Sequence, residues 1–229
     1  MSDSPGLTNV AIGEDHVLFA EALEVTLALE GYRVHRLPVQ DHATSGQMLK
    51  ALLRMRPDIA LLDLDLGAAG DGTRLVRPLT ESGISVVVIT GSIDRARWGE
   101  CLCDGARAVT SKSAPLDEIL TTIRLVAARR RVHTPEERQS LIALYYAQQE
   151  TVNTLRKRLD LLTAREGEVL AHLMDGRPVR DIAHVSFVSE ATVRTQVKSI
   201  LAKLELTSQL AAVGAAHKVG WHPRVQQGR

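Results

Sequence analysis

The chain has 229 residues, 45% of them apolar and 24% charged, which is enough for two ordinary domains with cores of their own. No apolar run reaches the roughly 18 residues a spanning helix needs, the first residues form no basic-then-apolar leader, and two cysteines make no disulfide framework, so a cytoplasmic protein without a membrane partner is expected. The net charge of +1 hides an asymmetry: residues 1–128 carry 12 Lys/Arg against 17 Asp/Glu, residues 129–160 carry 7 against 4, and residues 161–229 carry 9 against 6, an acidic front and a basic rear that suit different partners.

The front 128 residues alternate short β-type apolar runs with longer helical ones. Strands are expected at 10–12, 34–37, 59–63, 86–90 and 108–110, and helices at 17–29, 47–54, 73–81, 95–103 and 116–128. Ile59-Ala60-Leu61-Leu62 and Val86-Val87-Val88-Ile89 are continuous apolar runs, as strands buried on both faces require. Five βα units in succession imply a doubly wound, five-stranded parallel sheet. Pro78 is expected to shorten or kink the third helix. Cys101 and Cys103, two apart on a helix, point to different faces and read as incidental thiols.

Thr134-Pro135-Glu136-Glu137 opens a new helix: an N-cap, a proline suited to the first helical position and two acids that complement the positive helix end. It is expected to run to about Leu162. Leu141, Tyr145, Gln148, Val152, Leu155, Leu159 and Leu162 alternate four and three apart, a heptad seam of about three repeats. The seam fits a linker helix packed on its own chain or a short coiled coil between two chains.

From Leu161 on the pattern is helical throughout. Helices are expected at 164–174 behind Thr163, 179–183 behind Arg177-Pro178, 190–204 behind Ser189, and from Ser208 to about Val219. The domains expected are 1–128, a linker helix over 129–160, a helical domain over 161–220, and a flexible tail over 221–229.

In open α/β sheets, ligands meet the carboxyl ends of the strands. Those ends carry Glu14 and Asp15 after the first strand, Asp63 after the third, Thr90 after the fourth and Lys112 after the fifth. Converging carboxylates favour a hard divalent cation such as Mg²⁺. A carboxylate can also attack a phosphoryl group, whose oxygens a cation and a hydroxyl then hold.

With these residues in this order, the front half resembles the receiver domain of response regulators over residues 8–128. The resemblance implies that Glu14, Asp15 and Asp63 bind Mg²⁺, with Asp65 adding its backbone carbonyl. It further implies that Asp63 accepts a phosphoryl group from a sensor histidine kinase, that Thr90 moves to meet that group and that Lys112 pairs with it. Two departures stand out. The loop Leu66-Gly67-Ala68-Ala69-Gly70-Asp71-Gly72 lacks the usual Pro-Gly pair and is glycine-rich, so a looser approach to Asp63 is expected. Val109 stands where the family usually has an aromatic switch residue, which puts the usual relay in doubt.

In the rear half, Leu162-Thr163-Ala164-Arg165-Glu166, Asp181-Ile182-Ala183 and Ser189-Glu190-Ala191-Thr192-Val193-Arg194-Thr195-Gln196-Val197 resemble the LuxR/NarL (FixJ) type helix-turn-helix domain over roughly 160–218. Ile182, Ala183 and Val193 would pack the two helices together. The second helix would enter the major groove of double-stranded DNA with Arg194, Thr195 and Lys198 outward. Ser189, Thr192 and Lys203 would touch phosphates. Gln196 replaces a common His and suggests an altered sequence preference.

Together these imply a phosphorylation-switched DNA-binding transcription regulator, not an enzyme, that dimerises when active and reads an inverted-repeat operator. Two other readings stay open. One is a DNA-binding regulator independent of phosphate, controlled by a partner or ligand, which the loop and Val109 motivate. The other is a haloacid-dehalogenase-like phosphatase. It takes Asp63-Leu64-Asp65 as a DxD signature but leaves the preceding βαβα unit and the rear domain unexplained.

Overall fold

The computed structural model describes residues 8–38 and 44–223. Two compact units divide between Tyr146 and Ala147.

The first unit alternates strand and helix. Its strands are β1 (Asn9–Glu14), β2 (Arg33–Pro38), β3 (Ile59–Leu62), β4 (Ser85–Thr90) and β5 (Ala108–Ser111), and its helices are α1 (Val17–Leu29), α2 (Ser45–Met55), α3 (Thr73–Glu81), α4 (Arg95–Cys103) and α5 (Leu116–Ala127). All pairings are parallel, in the order β2-β1-β3-β4-β5. The apolar strands bury both faces, as their composition requires. One core packs Ala60, Leu62, Val86 and Val88 under α2, α3 and α4, and the other packs Ile59, Leu61, Val87 and Ile89 under α1 and α5. Helix α3 keeps its expected span. Pro78 withholds an N–H only from the carbonyl one turn earlier. Burial of Cys101 pushes its thiol up to about 12, so it is an inert core side chain.

The helix α6 (Pro135–Asp160) runs through the division between the units. Its start is fixed to the first unit. Glu137 N donates to Thr134 Oγ1 (3.1 Å) and Thr134 N to Glu137 Oε2 (3.0 Å), a reciprocal cap. Arg138 donates to the Leu102 and Ala106 carbonyls at the end of α4 (2.7 and 3.4 Å). Leu141 is buried in the first core, over Gly99, where any Cβ would come 2.0 Å from the Leu141 carbonyl oxygen. The rest of the helix belongs to the second unit. Leu159 is buried there, Val152, Leu155 and Leu162 pack on the same core, and Arg158 donates to the Leu204 carbonyl (3.3 Å). The heptad seam is thus engaged within its own chain. Leu141 and Leu159 are 3% and 2% exposed, Tyr145, Val152, Leu155 and Leu162 are half-buried, and Gln148 is exposed. A two-chain coiled coil along the whole seam would have to displace these contacts.

The second unit continues with α7 (Ala164–Met174), α8 (Val179–Val185), α9 (Glu190–Leu204) and α10 (Gln209–Lys218). Thr163, Ser189 and Ser208 each accept a backbone N–H at a helix start. Gly176, with φ +75°, follows α7. Ile182, Ala183 and Val193 are buried together with Val169, Ile200 and Leu204. Trp221, at the head of the expected flexible tail, packs on this core beside Gly167. Residues 224–229 of that tail lie outside the described residues.

Candidate phosphoacceptor pocket and DNA-binding face

The carboxyl ends of β1 and β3 and the residues following β5 converge. Asp63 follows β3 and is 3% exposed; Glu14 ends β1 and is 7% exposed. Lys112 bridges them, its Nζ donating to Glu14 Oε1 and to Asp63 Oδ2, each at 2.6 Å. The second Asp63 oxygen, Oδ1, is buried and has no hydrogen-bond partner among the described residues. Burial pushes the Glu14 carboxyl up, against the opposing pull of Lys112 and the His16 N–H. Burial alone would lower the Lys112 ammonium, but its bonds to Asp63 and Glu14 outweigh that and raise it.

Ligand atoms of Glu14, Asp15, His16 and Asp63 lie within 4.8 Å of one another. Sequence reasoning missed His16, although it directly follows the acidic pair. Its Nδ1 lies 2.8 Å from Asp15 Oδ1 and 3.2 Å from Glu14 Oε1. Thr90, at the end of β4, is fully buried, and its Oγ1 accepts from Ser92 N (3.1 Å). The Asp65 carboxylate stands outside the cluster, paired with Arg97 (3.1 Å).

The loop after Asp63 is braced, contrary to the looser approach its glycines suggested. Asp65 and Asp71 form a bridge, Gly72 N donates to Leu64 O (2.8 Å), and Leu66 N donates to Gly70 O (3.0 Å). Arg97 of α4 ties Asp65, Asp71 and the Leu64 carbonyl together. Burial would raise the Asp71 carboxyl, but the Thr73 N–H and Arg97 hold it below its usual range. The glycines serve close approach. A Cβ on Gly72 would come 2.0 Å from the Asp63 carbonyl oxygen, and Gly67, at φ +53°, lies over Asp15. Nothing in the local sequence marks Arg97, which reaches this loop from 26 and 32 positions away.

Two family profiles match the chain. "Response regulator receiver domain" covers residues 10–124, and "Bacterial regulatory proteins, luxR family" covers residues 160–216. The chain is a LuxR-family response regulator. It is 25% identical to the transcriptional regulatory protein DesR of Bacillus subtilis over 216 residues, 94% of this chain and 99% of that one. It is 29% identical to the probable transcriptional regulatory protein NarL of Mycobacterium tuberculosis over 218 residues, 93% and 94% of the two chains. A solved chain of the response regulator RcsB in a DNA complex shares the fold, with a TM-score of 0.50, 21% identity, and coverage of 93% of this chain and 98% of that one.

In the regulator's second unit, α8, the turn at 186–188 and α9 form the helix-turn-helix. Phe187 takes the left-handed conformation in that turn (φ +54°), and Arg165 donates to the Ser186 carbonyl (3.0 Å). Ser189, Thr192, Arg194, Thr195 and Lys198 are all exposed on α9 and its cap. Arg194 pairs with Glu190 one turn earlier (3.1 Å), and Lys198 has no side-chain partner among the described residues. Lys203 is placed differently. Its Nζ donates to Glu166 Oε2 (2.6 Å) and to the Leu161 carbonyl (3.2 Å), so it locks α9 to the cap of α7. Ser199 Oγ donates to the other Glu166 oxygen (2.6 Å). Although burial raises the Glu166 carboxyl, Lys203, Ser199 and the Thr163 N–H overcome it and hold it at about 2. The Gln196 acceptor Oε1 is buried, so it is not presented to a groove.

Proposed function

We propose that Asp63 is the phosphoacceptor of a DNA-binding transcriptional switch fed by a sensor histidine kinase. The carrying observation is the pair of Asp63 oxygens: Oδ2 is held by Lys112, and Oδ1 is buried with no partner among the described residues. Oδ1 attacks the phosphorus of a phosphohistidine, the O–P bond forms as the N–P bond breaks, and the imidazole takes up a proton. Lys112 stands ready for the phosphoryl oxygens, and Thr90 Oγ1 is the hydroxyl assigned to one of them.

The oxygen-rich donor set of Glu14, Asp15 and Asp63 fits a hard cation. Glu14, Asp15, Asp63 and the Asp65 carbonyl would hold Mg²⁺, which supplies charge neutralisation for the phosphoryl group. Arg194, Thr195 and Lys198 form the groove-reading face, and Ser189 and Thr192 the phosphate contacts. Lys203 is assigned a structural role. A symmetric dimer on an inverted-repeat operator suits this face. The family consists of transcription regulators, and the chain is read as one with no catalytic role of its own.

The test is intact-mass measurement after incubation with Mg²⁺ and acetyl phosphate. One added phosphoryl group, absent in Asp63→Asn, is expected. No mass gain in the parent chain would favour a phosphate-independent regulator.

A further inference from the structure

A second cavity lies in the first unit, and none of its lining residues belongs to the acidic cluster. It is formed where the chain leaves α5. Arg129 takes a left-handed turn (φ 54°), Arg130 N donates back to Leu125 O (2.8 Å), and residues 130–133 then run on towards α6. The cavity has a volume of about 500 Å³, within the range of about 300–1,000 Å³ that small-molecule sites occupy.

Its lining joins charge to apolar surface. Arg107, Arg130, Arg131 and Arg138 are among its lining residues, with no acidic side chain beside them, and the Arg107 and Arg138 guanidiniums already donate to backbone carbonyls. Val132 and Ile142 contribute apolar wall. The Arg130 and Arg131 side chains have no hydrogen-bond or ion-pair partner among the described residues. Guanidinium forks match phosphate oxygens bidentately. Two such groups, Arg130 and Arg131, with two further cationic side chains in the same lining, suit a phosphate better than a single carboxylate.

We propose that this cavity is a binding site for a phosphorylated small molecule with a planar or apolar body, of nucleotide size. The concave, partly apolar wall favours such a ligand over the backbone of DNA, which asks for an open basic surface. An occupant would touch both the β5 approach at 105–107 and the first turns of α6, and so would bear on how the linker is anchored. The proposal is independent of phosphotransfer at Asp63.

Titration calorimetry of the full chain with ATP, in chelator so that no divalent ion fills the acidic cluster, tests it. One-to-one saturable binding is expected, weakened at least tenfold in the double variant Arg130→Gln/Arg131→Gln and unchanged in Asp63→Asn. These arginines are exposed and outside the cores, so circular dichroism should show the variant folded. Absence of saturable binding, or binding indifferent to the arginine variant, overturns the proposal. So does a variant that keeps ATP but loses affinity for non-specific duplex DNA, which would make the arginines a backbone contact.

Discussion

The backbone N–H of Val109 donates to Nε2 of His133 at 3.1 Å. Val109 lies on β5, the edge strand of the sheet, and an edge N–H needs a partner from outside the sheet. The residue just before the cap of α6 provides it. Where relatives are expected to carry an aromatic switch, this chain has a small buried side chain whose backbone is tied to the linker.

His133→Leu should leave the Val109 N–H buried and unpaired, at a cost of about 1–3 kcal/mol, whereas His133→Gln can keep an acceptor. Amide exchange at Val109 should accelerate in the first variant and much less in the second. The bond should also depend on pH. Burial holds the imidazole below 6.5, with Arg138 and Arg95 lowering it further and Glu137 opposing. A protonated Nε2 cannot accept. The folded state therefore binds this proton less readily than the unfolded one, and the contribution is intact above 6.5 and lost as pH falls towards the folded value. Flat Val109 protection through that window would refute the assignment.

Lys112→Met should leave two buried carboxylates, Glu14 and Asp63, facing each other without their cation. Breaking a buried pair in this way costs about 3–5 kcal/mol. Urea unfolding of the receiver unit at neutral pH should show the loss, and Mg²⁺ should restore part of it. An unchanged midpoint would mean that Lys112 is not the neutralising group.

Lys198 and Lys203 should separate function from stability. Lys198→Ala removes a cation from the exposed face of α9 and should weaken operator binding by about 1–3 kcal/mol with unfolding unchanged. Lys203→Ala should lower the stability of the helical unit, because Glu166 then stays buried without its partner. Gel-shift affinities and denaturation midpoints, measured side by side, check the contrast.

Glu166 sets an acid limit. Its carboxyl lies at about 2 when folded against 4.5 ordinarily, so its contribution, on the order of 3 kcal/mol, is present above 4.5 and is lost as pH falls through 2. The chain has two tryptophans. Trp98→Phe leaves Trp221, which packs beside Gly167, as reporter of the second unit. Acid unfolding followed by its emission should begin at higher pH in Glu166→Gln at matched denaturant.

Gly99→Ala should loosen the start of α6. The new methyl would meet the Leu141 carbonyl at 2.0 Å and Tyr145 Cβ at 3.1 Å, and backbone cannot yield as a flexible side-chain end can. Faster proteolysis within 130–146, with the sheet's spectrum retained, is the expected result.

Strand and helix periodicity made the five-stranded parallel sheet and the helix caps legible, because alternation, buried apolar runs and Thr or Ser caps are local signals. The acidic pocket was legible for a related reason: topology brings strand ends together whatever lies between them. Partners that depend on side chains reaching across the fold were not legible. Arg97 bracing the loop, Lys203 turning inward to Glu166, and His133 meeting β5 have no spacing rule. The seam of α6 was visible as a pattern, but a heptad does not say whose surface it meets.

That helix carries a lesson for rebuilding the protein. Leu141 and Ile142 serve one core and Val152, Leu155 and Leu159 the other, on either side of the division at Tyr146 and Ala147. A receiver cut at residue 128 would expose the patch that Leu141 covers, and an output domain begun at 161 would lack Leu159. Chimeras that graft this DNA reader onto a foreign sensor should therefore splice inside the helix, in phase with its turns, because each neighbour keeps its own half as part of its interior.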